Sequence, residues 1–90
     1  MITQTLETIK QSPLCEDVAY FSSATVLFGI DNGKVAVIYS RDKTADNLQI
    51  HLYNSRDDYV AQKAVSLLGR YTDYGSCLVV AANWLGITID

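Results

Sequence analysis

Phe28-Gly29-Ile30-Asp31-Asn32-Gly33-Lys34-Val35-Ala36-Val37-Ile38-Tyr39 holds an Asn-Gly pair between two apolar runs, the strongest short-range signal for a β-hairpin. A two-residue type I′ turn needs positive φ at both central residues, which Asn and Gly tolerate best. With Asn32-Gly33 as that turn, Ile30 lies opposite Val35, Phe28 opposite Val37 and Val26 opposite Tyr39. Directly opposed residues share a face, so Val26, Phe28, Ile30, Val35, Val37 and Tyr39 line one side and Thr25, Leu27, Gly29, Ala36, Ile38 and Ser40 the other. The bulkier set is expected to be the core.

Beyond the hairpin, Leu48-Gln49-Ile50-His51-Leu52-Tyr53 alternates as a third strand. Turning Leu48, Ile50 and Leu52 into the same core places Gln49, His51 and Tyr53 beside Leu27 and Ile38 on the second face. Arg41 to Asp46 reads as the intervening polar loop. Upstream, Ile2, Leu6 and Ile9 recur at helical spacing until Ser12-Pro13 ends the pattern. Leu14 to Ser23 reads as a connection followed by a strand from about Thr25, although Glu16-Asp17 could start a helical turn and Val18-Ala19-Tyr20-Phe21 could begin a strand that a bulge at Ser22-Ser23 interrupts. Downstream, Ser55 followed by Arg56-Asp57-Asp58 marks a helix start, with Ser55 as N-cap and both acids near the positive end of the helix dipole. Val60, Ala64, Leu67, Leu68 and Tyr71 continue at helical spacing, with Gly69 as a stop. Ser76 to Leu85 is apolar almost all round. Ala81-Ala82 and Gly86 favour a helix there, whereas Val79-Val80 and Ile87-Thr88-Ile89 would suit a strand. The expected fold is therefore α+β in the order α-β-β-β-α-α: a three-stranded antiparallel meander with an N-terminal helix and one or two C-terminal helices.

Ninety residues with 49% hydrophobic content suit a single small globular domain spanning 1–90. Ten acidic residues against seven basic ones, a net charge of −3 without a block of either sign, offer no footprint for a phosphate backbone. The α-β-β-β-α order resembles that of the double-stranded-RNA-binding domain, but Arg56-Asp57-Asp58 stands where that domain carries its basic cluster, so direct nucleic-acid binding is not expected. The N-terminal residues lack the basic start and apolar run of a signal peptide, and the run from Cys77 to Leu85 is too short to span a bilayer. A cytoplasmic location without membrane attachment is the expectation, with Cys15 and Cys77 as buried reduced thiols.

The chemistry-bearing residues are few. Two cysteines far apart and one histidine cannot supply the four close-spaced ligands of a structural zinc site, and no glycine-rich phosphate loop or calcium loop is present, so neither metal nor cofactor is expected. His51 is the single histidine; an enzyme would have to use it, paired with Cys15 or Cys77, and nothing local to either cysteine depresses a thiol pKa. Six tyrosines and one tryptophan suit an interface, because each ring combines apolar area with a polar tip. The expected function is a non-catalytic protein–protein interaction module, a stoichiometric binder or inhibitor of the immunity type or of the phage and mobile-element anti-host type, or a homodimer. The alternative is a small enzyme using His51 with a cysteine. Leu27, Ile38, Gln49, His51, Tyr53 and Tyr59 are the candidate partner-binding residues, the partner being another protein or a second copy.

Overall fold

The computed structural model describes residues 2–40 and 48–89; the loop expected over Arg41 to Asp46 lies outside them. The element order is α1 (Ile2–Gln11), β1 (Cys15–Phe21), β2 (Ala24–Gly29), β3 (Val35–Ser40), β4 (Leu48–Tyr53), α2 (Arg56–Val60), β5 (Ser66–Tyr71) and α3 (Tyr74–Leu85). The fold is α+β, and its sheet has five antiparallel strands in the order β1-β2-β3-β4-β5 rather than three.

The hairpin of β2 and β3 is present but its turn is wider than two residues. Phe28 pairs with Val35 and Val26 with Val37, and Gly29 N–H donates to the Lys34 carbonyl at 2.7 Å, so Ile30 to Gly33 form a four-residue loop. Positive φ falls on Asp31, at 57°, and on neither Asn32 nor Gly33. Gly33 is required for space: a Cβ there would lie 2.5 Å from the Ile30 carbonyl oxygen. Ile30, expected on the core stripe, is 45% exposed in this loop. Each pairing has moved by two residues, and because side chains alternate with period two, the division of the hairpin into two faces survives the shift intact.

Which face is the main core is the reverse of the expectation. Leu27, Ala36 and Ile38 are fully buried with Leu48, Ile50 and Leu52 beneath Ile9 of α1 and Cys77, Leu78, Ala81 and Ala82 of α3. Bulk misled because the face that carries the small Ala36 is the one α3 covers, with its own small Ala81 and Ala82. Tyr74 of α3 shares a 2.6 Å hydrogen bond with the Thr25 hydroxyl, and Trp84 donates from Nε1 to the Tyr53 carbonyl at 2.9 Å. The bulkier face forms a smaller cluster of Val26, Val35, Val37 and Tyr53, with Phe28, Tyr39 and Tyr59 packed against it.

The helix expected over the last apolar segment is formed as α3, but its N-cap is Asp73, not Ser76. The Asp73 carboxylate accepts from the Gly75 and Ser76 amides and from the Ser76 hydroxyl, and these bonds hold its pKa below the usual value. Gly86 ends the helix at φ 94°, as its position after Leu85 suggested. Two segments depart from the reading of the sequence. Cys15–Phe21 is strand β1, and Ser22-Ser23 is the two-residue turn into β2, since Phe21 pairs with Ala24. The helix that starts at Ser55 stops at Val60; Gln62, at φ 59°, turns the chain out of it, and Leu67, Leu68 and Tyr71 belong to β5. Pairing with β4 outweighs a helical spacing that a five-residue helix could not stabilise alone.

Candidate functional site

Alternation along β4 sends Gln49, His51 and Tyr53 to the face opposite Leu48, Ile50 and Leu52. Register with β3 sets Tyr53 across from Val35, His51 across from Val37 and Gln49 across from Tyr39. Tyr39 and His51 are thus diagonal neighbours, and their rings lie 4.5 Å apart between centroids at a 55° tilt.

The third wall comes from α2, which the hairpin loop holds in place. Asn32 Oδ1 accepts from the amides of Arg56 and Asp57 at 3.0 and 3.3 Å, and its Nδ2 donates to Asp57 Oδ2 at 3.1 Å. Ser55 caps the same helix by accepting from the Asp58 amide, as its sequence position implied. The Arg56 guanidinium stacks 4.9 Å over the Phe28 ring and pairs with Glu16 on β1. So anchored, α2 lays Tyr59 over the sheet, edge-on to both Phe28 at 5.7 Å and Tyr53 at 5.3 Å. Each such contact is worth about 1 kcal/mol beyond the area it buries.

Between α2, the turn that follows it and β5 lies a concavity of about 700 Å³ walled by Tyr39, His51, Tyr53 and Tyr59. Val60 and Leu67 stand on its rim, 79% and 67% exposed, and among the described residues Lys63 is the one fully charged side chain lining it. A smaller depression of about 240 Å³ shares His51 and Leu67 and extends the groove to Gly69. Burial lowers the His51 pKa from its ordinary 6.5, so the imidazole is neutral at neutral pH. Burial, and then the neighbouring Tyr39 and Tyr59, push the Tyr53 phenol up. Among the described residues His51 has a ring neighbour but no hydrogen-bonding carboxylate to orient it as a base.

Gln49, His51, Tyr53 and Tyr59, four of the candidate residues, therefore come together on one face. Leu27 and Ile38 do not join them: at 0% and 1% exposure they are core residues under α3 on the other side of the sheet. Tyr39, Val60, Lys63 and Leu67 complete the concavity and were not foreseen. Tyr39 was expected on the face opposite His51 and joins it because β3 and β4 pair with Val37 across from His51, whereas Leu67 was hidden by the helical spacing from Val60 to Tyr71.

The pairing of His51 with Cys15 or Cys77 is not formed. Both thiols belong to the core under the helices, with the sheet between them and the imidazole. Burial raises both pKa values, that of Cys77 to about 11, which is the opposite of what a nucleophile requires. Among the described residues no three side chains of His, Cys, Asp or Glu are grouped to hold a metal ion, and no helix is long and apolar enough to cross a membrane. No protein-family model matches the chain, and no curated protein or solved structure matches it either.

Proposed function

We propose that this chain is a non-catalytic protein-binding module, a stoichiometric binder or inhibitor that engages its partner through the tyrosine-lined concavity between α2 and β5. The observation that carries the reading is the pairing of that concavity with Val60 and Leu67, two aliphatic side chains left mostly in water at its rim. Exposed aliphatic groups are ordinary when scattered; next to a walled, tyrosine-lined depression they mark a contact surface. Tyrosines with apolar faces and polar tips are the ring type that interfaces favour. The inhibitor reading adds the small size of the chain, ninety residues without a catalytic arrangement around His51 among the described residues.

The test compares immobilised wild-type protein with a Leu67→Asp variant in lysate of the native host. Leu67 is exposed, so the variant should melt within about 0.5 kcal/mol of the wild type. A protein retained by the wild type and lost from the variant supports the reading. Retention of the same proteins by both overturns it. Light scattering at micromolar concentration addresses the second-copy form: a mass twice that of the monomer, halved by Leu67→Asp, would make the partner another copy of the chain.

A further inference from the structure

We infer that Asn32 is a site of self-modification: when α2 lifts off the hairpin loop, the Asn32 carboxamide cyclises onto the Gly33 nitrogen, and the isoaspartate that follows can no longer hold α2. This goes beyond the protein-binding reading and is tested without any partner. Three observations carry it.

The first is the residue pair. Asn32 and Gly33 follow one another in the four-residue loop between β2 and β3, and Asn32 is exposed there. Glycine puts no side chain beside its nitrogen and leaves the backbone free to bring that nitrogen onto Asn32 Cγ. Solvent base takes the Gly33 amide proton as the N–Cγ bond forms; the Cγ–Nδ2 bond then breaks, and Nδ2 leaves as ammonia with a proton from water. A five-membered imide remains. Water opens it at one of two carbonyls: cleavage of the new N–Cγ bond gives aspartate, and cleavage of the original peptide bond gives isoaspartate, in which the chain runs through Cγ.

The second is the restraint on that reaction. Oδ1 accepts from the Arg56 and Asp57 amides, and Nδ2 donates to Asp57 Oδ2. Cyclisation discards Nδ2 and draws Cγ onto the loop's own backbone, so these bonds must open first. The helix that supplies them is five residues long and has no stability of its own. Opening of α2 therefore sets the rate.

The third is the product. The carboxylate of an isoaspartate stands one carbon, about 1.5 Å, closer to its own backbone. Oδ1 reaches the two amides at 3.0 and 3.3 Å, and a retreat of that size takes both out of hydrogen-bond range. A negative charge also replaces the donor that faced Asp57. The release is one-way, and with α2 goes Tyr59, which it holds edge-on to Phe28 and Tyr53 in the wall of the concavity.

The experiment incubates the protein in mildly alkaline buffer and follows Asn32 by peptide mapping, with isoaspartate assigned by electron-transfer fragmentation. Conversion is expected at Asn32 and not at Asn54 or Asn83, whose following residues are Ser55 and Trp84. It should run about five times faster in Ser55→Ala, the factor that loss of one N-cap gives to the opening of α2. The isoaspartate form, isolated by ion exchange, should lose the nuclear Overhauser contact between Tyr59 and Phe28, whereas Asn32→Asp, which adds the charge without lengthening the backbone, should keep it. An Asn32 that stays intact in both proteins would overturn the modification, and equal rates in the two would overturn its gating by α2. A Tyr59–Phe28 contact that survives in the isoaspartate form, or is lost equally in Asn32→Asp, would overturn the one-way release.

Discussion

Asn32 gives the sharpest test of how the fold is assembled, because two accounts of the same residue predict opposite outcomes for one substitution. In a two-residue type I′ turn Asn32 would serve through its positive φ, and Asn32→Gly would be neutral or stabilising. In the structure its φ is not positive, and its side chain bridges the hairpin loop to α2. Asn32→Gly then removes the acceptor of two helix-start amides and the donor to Asp57. Loss of an N-cap of this kind costs about 1 kcal/mol, and partial replacement by water at an exposed position keeps the figure there instead of at the sum of three hydrogen bonds. For a chain of this length that is a fall of about 4–8 °C in melting temperature. Asn32→Ala should cost a similar amount, and Asn32→Asp less, since the carboxylate still accepts both amides although it repels Asp57. Thermal and urea denaturation of the three variants measures this directly. A Gly variant as stable as the wild type, with an Ala variant clearly weaker, would refute the capping account in favour of the turn account.

Gly33→Ala should destabilise by about 1–3 kcal/mol, since the new methyl would press on the Ile30 carbonyl and the loop backbone would have to move; an unchanged urea midpoint would contradict the close approach. Ile38→Asp should cost about 4 kcal/mol or more, a large share of the stability of a chain this size, whereas Leu67→Asp should leave the circular-dichroism melt nearly unchanged. The opposite ranking would mean that the faces are assigned the wrong way round. Because burial depresses the His51 pKa, the unfolded chain binds the proton more tightly than the folded one. The contribution of His51 is complete above about pH 6.5 and is lost as pH falls through the lower folded-state value. Wild-type protein should therefore lose more stability than His51→Gln as pH falls below 6.5, and parallel pH dependences in urea titrations would count against the burial of the imidazole.

The Asn32-Gly33 pair located the hairpin, and period-two alternation separated Val26 and Val37 from Leu27 and Ile38 even though the turn holds four residues and not two. The third strand was joined to the hairpin the wrong way round, since His51 stands opposite Val37 and Ile50 packs with Leu27 and Ile38. What alternation cannot say is which side the helices cover. Both faces are apolar, and the decision rests on how α3, with Ala81 and Ala82, packs on Leu27, Ala36 and Ile38, which is a property of the packed molecule. The same limit applies at Leu67. Its spacing from Val60 and Ala64 fits a helix as well as anything, and only the tertiary partner, β4, converts that stretch into a strand. At β1 the signal was present in Val18-Ala19-Tyr20-Phe21, but an edge strand with Glu16 and Asp17 facing water shows little alternation. Of the site, His51, Tyr53 and Gln49 came from strand periodicity and Tyr59 from being a tyrosine that the apolar stripes leave outside the core. The rim of Val60, Lys63 and Leu67 required the turn after α2 that no local residue announces.

The central claim is that the concavity between α2 and β5 is where this chain meets another protein, and site-specific photo-crosslinking in the native host tests it most directly. A benzophenone side chain placed at Leu67, on the rim, is compared with one placed at Tyr20, which is also exposed but on the far edge strand. The account predicts one discrete adduct from position 67, competed away by excess wild-type protein but not by excess Leu67→Asp, and none from position 20. Adducts from position 20 alone, or the same adducts from both positions, would contradict it.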